Sequence, residues 1–285
     1  MPLLPFPSNR PSPYETGALE EIRAWRIPKG GLLEDAYGRM SKVIDQATDK
    51  LRGVPGVDWT LDTFVAGIVE NLNHLAHDLV AIETIYAAQS QDGPRISAPG
   101  EIHAVDLRRV DTSVAALRGR YATIAGAEGA ATGFAGAPGI VPDIIALTTL
   151  NLQATGEYAT WYGFDVSLEE ERLFALTVLS AAAGSTDLNK DLALRPISRA
   201  SQGVAKQQVL ESAGQYAITG SMKKIAEKLG IRLTKAKLAQ MLPIAGAVVG
   251  GSLNVMFTNR VCATARNLYR ERFLLAKYGP DVLSA

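Results

Sequence analysis

A chain of 285 residues with 47% hydrophobic residues is large enough to bury a sizeable core without disulfides or structural metals. The single cysteine, Cys262, excludes an intramolecular disulfide, and a reducing compartment such as the cytoplasm is therefore expected. Although 29 Lys/Arg residues balance 29 Asp/Glu residues, these charges are unevenly distributed along the chain.

The charge is polarised between the two parts of the sequence. Residues 195–277 carry 14 Lys/Arg against 3 Asp/Glu, whereas residues 1–194 carry 15 against 25. One interpretation is that the acidic part docks against the basic part of the same molecule. Another is that the basic part meets an anionic membrane surface. Nucleic acid is disfavoured as a partner, because the positive residues are not interleaved with aromatic residues and glycines.

The N-terminus is rich in proline, with five prolines in its first 13 residues. It lacks a charged start followed by an apolar run, so we expect no secretory signal. Residues 1–14 are predicted as a flexible arm, and residues 15–285 as one helical domain.

Helical signals dominate that domain, because apolar residues recur at spacings of three and four and no strand pattern stands out. We therefore expect an all-α fold, a single multi-helix bundle. The spacing predicts these helices in chain order: Glu15–Trp25, Leu32–Leu51, Leu61–Gln91, Glu101 into residues 126–139, Val141–Phe164, a helix capped by Ser167 and ended by Gly184, shorter helices over Asn189–Leu229 with Gly230 ending one of them, and a basic last helix reaching Lys277.

The predicted helix Leu61–Gln91 carries the best material for a metal site. Glu70, His74 and His77 lie on one face, and inward-facing Glu and His residues build metal sites in helical bundles. A metal-binding bundle enzyme is thus an alternative, in which His103 or Glu101 would complete the ligand set. The plainer interpretation is a solvated polar face, since neither HExxH nor Glu-x-x-His occurs.

Other signals of catalysis or cofactor binding are weak. The glycine-rich segment Gly126–Gly139 fits neither GxGxxG nor the phosphate loop, and Ser252 takes the place of the lysine in a near match that begins at Gly246. No GxSxG elbow is present. We therefore expect no cofactor and no catalytic residue, and predict an interaction function rather than an enzyme.

Two apolar segments, Val141–Phe164 and Leu238–Asn259, form a predicted central helical hairpin. The second is a run of 22 residues without charge, yet Pro243 and several polar residues make it a poor bilayer-spanning helix. A soluble bundle that presents an apolar edge ringed by Lys and Arg to lipid headgroups is the preferred interpretation, and complete burial in a core is the alternative.

Two sets of residues follow from this hairpin. The predicted lipid-contact residues are Lys235, Lys237, Ile244, Val248, Arg266 and Arg270. A polar stripe on the first helix, which contains Thr149, Gln153 and Glu157, requires partners if that helix is buried, with Arg172 or Arg260 as candidate partners of Glu157. The predicted buried polar cluster consists of Asp143, Gln153, Glu157, Asn254 and Arg260.

Several short motifs, in this order, resemble the EcsC family from Tyr14 onward. They are Glu20–Trp25, Pro142-Asp143, Gln153, Tyr162-Gly163-Phe164-Asp165, Glu171-Arg172-Leu173-Phe174, Leu242–Ala247, Asn254, Phe257-Thr258 and Tyr269-Arg270-Glu271-Arg272. The resemblance implies an all-helical, membrane-associated bacterial protein, and it supplies no catalytic residues.

Together these observations predict a cytoplasmic protein that lies at the inner face of the membrane. The expected partner is an anionic membrane lipid or a membrane or partner protein, and a soluble protein-binding scaffold is an alternative function for the chain.

Overall fold

A computed structural model of the chain describes residues 10–27, 57–91, 93–132, 140–184, 211–240 and 251–283. Within these ranges the protein has nine α-helices and no strand, which confirms the all-α prediction. The helices are α1 Pro13–Arg26, α2 Val57–His74, α3 Ile82–Ser90, α4 Leu107–Val114, α5 Leu117–Thr132, α6 Ile140–Trp161, α7 Glu169–Ala182, α8 Glu211–Gln240 and α9 Gly251–Tyr278. A π-helical turn, Leu75–Leu79, follows α2, and short 3-10 helices cover Pro99–Ala104 and Pro280–Leu283.

Helix α6, the predicted apolar helix, lies at the centre of the bundle and packs against α2, α5, α7, α8 and α9. Leu147, Leu152 and Ala154 on it are completely buried. In the second predicted hairpin segment, residues 241–250 lie outside the described residues, and the residues from Gly251 onward open α9. None of the helices in the described ranges combines the length and mean hydropathy that crossing a bilayer requires.

Helices α5 and α9 pack closely because two glycines of α5 face α9. A Cβ atom at Gly126 would lie 3.2 Å from the Val255 side chain, and one at Gly129 would lie 2.8 Å from the amide nitrogen of Asn254. Small residues at such positions allow helix backbones to approach closely. This close approach brings the start of α9 into the interior beside α6.

Helix α1 begins at Pro13, two residues before the predicted start of the first helix at Glu15. The Ser12 hydroxyl caps the helix by accepting from the backbone N–H of Glu15. The Glu15 carboxylate in turn accepts from the backbone N–H of Ser12, and the two bonds form a capping box. Proline suits the first helical turn because its missing N–H would have no helical partner there. The predicted helix Leu32–Leu51 lies outside the described residues.

The prediction of one continuous helix over Leu61–Gln91 is wrong. The chain leaves the α-helix after His74, makes the π-helical turn and becomes extended at Val80 before α3 begins. Leu75 and Val80 pack onto α6 where Gly156 leaves room, because a Cβ atom there would lie 2.9 Å and 2.8 Å from their side chains. Tertiary packing therefore overrides the local helical pattern.

Two predicted helix boundaries also differ from the structure. Ser167 does not cap α7, because its hydroxyl donates to Asp165 and Leu168 occupies the N-cap position. Gly230 does not end a helix but lies buried within α8, between the buried residues Leu229 and Leu233. Their burial offsets the cost of about 1 kcal/mol that glycine carries in a helix interior.

Candidate functional site

Lys237 of α8 lies in a buried polar cluster rather than on the surface. It forms an ion pair with Asp143 of α6 and donates to the side-chain oxygen of Asn254 at 2.6 Å. Asn254 in turn donates to Asp143 at 3.5 Å. Because a buried charge is tolerated only when it is paired, this cluster fixes the start of α9 against α6 and α8.

Asp111 of α4 is the acceptor at the centre of a second buried network. Its carboxylate accepts from the hydroxyl of Tyr162 at 2.6 Å and from that of Tyr14 at 2.7 Å. The guanidinium of Arg270 lies 2.6 Å away, and that of Arg266 lies at 3.9 Å. Burial, followed by the charge of Asp111, raises the pKa of Tyr162 well above its ordinary value. Tyr162 therefore remains a neutral donor.

Arg272 of α9 is paired and enclosed by aromatic rings. It donates both terminal nitrogens to Glu171 of α7, at 2.6 and 2.7 Å. Its guanidinium carbon lies 4.0 Å from the ring centre of Phe164 and 4.2 Å from that of Phe174. Burial alone would lower the pKa of Arg272, but the Glu171 carboxylate outweighs it and the pKa is raised. Arg272 thus links α7 and α9 through a bidentate, charge-assisted pair of hydrogen bonds.

These contacts correct part of the predicted lipid-contact set. Lys237 is 8% exposed and Arg270 is 1% exposed, so neither side chain is available to a headgroup in this structure. Arg266 remains partly open to solvent, with 37% of its side chain exposed. The side chain of Lys235, and residues Ile244 and Val248, lie outside the described residues, and their role stays a prediction.

The solvent-exposed side of α8 carries several lysines. Lys223, Lys224 and Lys228 are exposed, and none of them has an ion-pair partner among the described residues. Ile231 follows one turn after Lys228 and is 40% exposed. Because positions 224, 228 and 231 share one helical face, α8 presents two ammonium groups beside an apolar group.

This lysine face of α8, defined as Lys224, Lys228 and Ile231, is held in place by the opposite side of the helix. Ala226, Leu229 and Leu233 are buried there at helical spacing. Arg232 lies between the two sides and donates to the carbonyl oxygen of Ser180 on α7 at 3.3 Å. The fixed helix presents ammonium donors on flexible side chains, which suit phosphate or carboxylate oxygens.

The predicted polar cluster of α6 is divided in the structure. Asp143 and Asn254 meet, whereas Glu157 accepts from Tyr121 at 2.8 Å and pairs with Arg120 of α5, not with Arg172 or Arg260. Arg260 donates to the carbonyl oxygens of Ala182 and Gly184 at the end of α7. Gln153 is half-buried and forms no hydrogen bond with this cluster among the described residues.

Sequence reasoning missed the buried amide of Asn151 on α6. It donates to Thr258 of α9 at 3.1 Å and back to the carbonyl of Leu147 at 2.7 Å. Thr148 and Thr155 bond to the helix backbone in the same way. Their recurrence on one side of an apolar helix was visible in the sequence and could have indicated a polar seam between α6 and α9.

The candidate metal ligands do not form a described cluster. His74 pairs with Asp78 on its own helical segment, and Glu70 is exposed. The side chain of His77 lies outside the described residues. In the part of the chain that was searched, no group of three potential ligand side chains comes together.

His103 and Cys262 are titratable groups within the bundle. Burial lowers the pKa of His103 to about 4, although a hydrogen bond with the Tyr162 backbone opposes the shift. Burial raises the pKa of the Cys262 thiol to about 12, which keeps it protonated near neutral pH. A buried thiol of this kind behaves as a small apolar side chain.

Comparison with known proteins finds one matching family and two relatives that align with about half of the chain. The EcsC protein family matches residues 17–274. The chain is 27% identical over 160 residues to "Uncharacterized protein YdbA" of Bacillus subtilis (strain 168), covering 53% of each chain. It is 28% identical over 154 residues to "Protein EcsC" of the same organism, covering 54% of this chain and 59% of that protein. It thus spans little more than half the length of either relative.

No solved structure matches the chain significantly. The family match instead covers nearly all of the helices described above, from within α1 to near the end of α9. It includes Asp143, Asn254 and the lysine face of α8. On this evidence the chain belongs to the EcsC protein family.

Proposed function

We propose that this protein binds anionic membrane surfaces peripherally and has an interaction or regulatory role rather than a catalytic one. The observation that carries the proposal is the lysine face of α8, whose ammonium groups have no acidic partner among the described residues. In the same sequence, α8 leads directly into the uncharged residues 238–259. Cations beside an apolar segment are typical of interfacial contact with lipid.

The expected binding is weak and reversible. A lysine near an anionic leaflet contributes about 1 kcal/mol at physiological salt, so Lys224 and Lys228, which share one helical face, contribute about 2 kcal/mol. Ile231, already 40% exposed, would add burial of apolar area at the interface. Since screening acts within about 8 Å at physiological ionic strength, the interaction should weaken as salt is added.

The orientation that follows places α8 along the membrane at the cytoplasmic face. The buried cluster around Lys237 then holds the end of α8 against α6 and α9, so that the helix meets the lipid as part of the folded bundle. No crossing of the bilayer is part of this proposal.

Flotation with vesicles tests the location of the contact. The chain with Lys224→Glu and Lys228→Glu is compared with the unchanged chain on phosphatidylcholine vesicles that contain about one third phosphatidylserine. We expect the double variant to lose at least tenfold in apparent affinity, since two attractions become repulsions.

A matched control is Arg10→Glu with Arg95→Glu, which changes the net charge equally at two exposed positions away from α8. We expect it to float nearly as well as the unchanged chain. Equal loss in both double variants would mean that net charge alone governs flotation. Undiminished flotation of the α8 variant would remove the lysine face from the proposal.

A further inference from the structure

Helix α1 is attached to the bundle by polar contacts at its first turn. Tyr14 donates to Asp111 of α4 at 2.7 Å. Glu15 accepts from Lys277 at 2.9 Å and from the hydroxyl of Tyr278 at 2.7 Å. Burial would raise the pKa of Glu15, but these donors and Ser12 lower it overall, so the carboxylate is charged at neutral pH.

The second half of α1 is attached by two crossed ion pairs with α9. Glu21 of α1 accepts from Arg270 at 2.5 Å, and Arg26 of α1 pairs with Glu271. Glu21 is 63% exposed at its side chain and Arg26 is 31% exposed, so solvent reaches both pairs. Their partners Arg270 and Glu271 are only 1% and 9% exposed, so each pair joins an open side chain of α1 to a buried side chain of α9.

The apolar contacts of α1 are confined to one side of the helix. Ala18, Leu19 and Ile22 are its buried apolar residues, and Trp25 is partly buried against the core. The helix packs mainly on α9 and α4 and has no extensive contact with the central helix α6. Helix α1 is therefore a peripheral helix that is anchored by one apolar side, and its ion pairs with α9 set its register.

We propose that α1 is an electrostatic latch, which opens as one unit while the remaining helices stay folded. Opening uncovers the Asp111–Arg270 pair and the hydroxyl of Tyr162, which lie beneath α1 in the closed state. The pattern of alternating charge, with Glu21 opposite Arg270 and Arg26 opposite Glu271, sets the closed position. The contacts of α1 lie near the C-terminal end of α9, whereas α8 precedes the N-terminal end of α9 in the sequence. The inference is therefore independent of membrane binding.

Native-state hydrogen exchange followed by mass spectrometry tests the latch. We expect amides of α1 to exchange at least tenfold faster than those of α6, with a weak dependence on added urea, because local openings expose little surface. Glu271→Lys should accelerate α1 by several-fold and leave α6 unchanged. Adding Arg26→Glu to that variant should restore the slower exchange, because the pair is re-formed with its charges reversed.

A further variant, Glu21→Lys, removes the pair with Arg270. Glu20→Lys is its matched control, because Glu20 lies on the exposed side of α1 next to Glu21. It should change α1 exchange less than Glu21→Lys does. Exchange of α1 and α6 at one rate with one urea dependence would show that α1 opens only with the whole protein. If Glu271→Lys fails to fold, Arg26→Glu alone provides the same comparison, because Arg26 is only partly buried. If Arg26→Glu does not accelerate exchange in α1 selectively, the proposal is overturned.

Discussion

Gly163 ends α6 with a backbone conformation that other residues adopt only with strain. Its φ angle is +85°, and a Cβ atom there would lie 2.7 Å from the carbonyl oxygen of Pro99 and 3.0 Å from a ring nitrogen of His103. We expect Gly163→Ala to lower the free energy of unfolding by about 3 kcal/mol, from backbone strain and the clash together. Urea denaturation followed by circular dichroism measures this loss.

Gly279 supplies the control for strain without a clash. Its φ angle is +83°, but no atom lies within 4 Å of the position of a Cβ atom. Gly279→Ala should therefore cost only about 1–2 kcal/mol. Equal losses at the two glycines would show that contact with Pro99 and His103 has no effect.

His103 gives a pH dependence with a defined direction. Burial lowers its pKa from the ordinary 6.5 to about 4, so the unfolded chain binds a proton between these values while the folded chain does not. Its stabilising effect is complete above about pH 6.5 and is lost as the pH falls toward 4, by about 3 kcal/mol in all. His103→Phe should flatten this part of the profile of unfolding free energy against pH. An unchanged slope in the variant would assign the dependence to other groups.

Individual cations show where sequence reasoning reached its limit. Lys224 and Lys237 occupy the same basic stretch, and helical spacing places Lys237 on the side of Leu233 but identifies no partner for its charge. Lys224 is exposed, whereas Lys237 is buried because Asp143, 94 positions earlier in the sequence, lies opposite. Burial of a charge depends on its long-range partner, which local spacing does not contain.

At the scale of helices, the cluster of Asp143, Lys237 and Asn254 connects α6, α8 and α9. Lys237→Met should lower the free energy of unfolding by about 3–5 kcal/mol, because it leaves Asp143 as a buried charge without its cation. The double change Asp143→Leu with Lys237→Met should recover most of this loss, since both charges are then absent. Urea denaturation of both variants checks the prediction. A double variant no more stable than Lys237→Met would mean that the pair is not the source of the loss.

The helices that sequence reasoning predicted well are those in which local and tertiary signals agree. Helix α6 is apolar along its length and matches the predicted Val141–Phe164 within three residues at its C-terminal end. The break at Val80 and the continuity of α8 through Gly230 were not predictable locally. The first depends on space beside Gly156 of α6, and the second on burial of the leucines around Gly230.

At the scale of the whole molecule, the polarised charge has a largely internal explanation. Cations of the basic part lie opposite acidic side chains of the earlier part, as one of the two interpretations of the sequence expected. The pairs are Lys237 with Asp143, Arg266 and Arg270 with Asp111, Arg272 with Glu171, and Lys277 with Glu15. Among the described residues, the lysine face of α8 contributes exposed cations of the basic part that have no acidic partner, and the proposed membrane contact is built on it.

Binding of the unchanged protein to neutral and anionic vesicles, measured over a range of salt concentrations, tests this account most directly. We predict measurable binding to vesicles that contain phosphatidylserine at low salt, progressive release as salt is raised, and no binding to phosphatidylcholine alone. Absence of binding to the anionic vesicles even at low salt would contradict the account, and would mean that the exposed lysines of α8 serve a contact other than lipid.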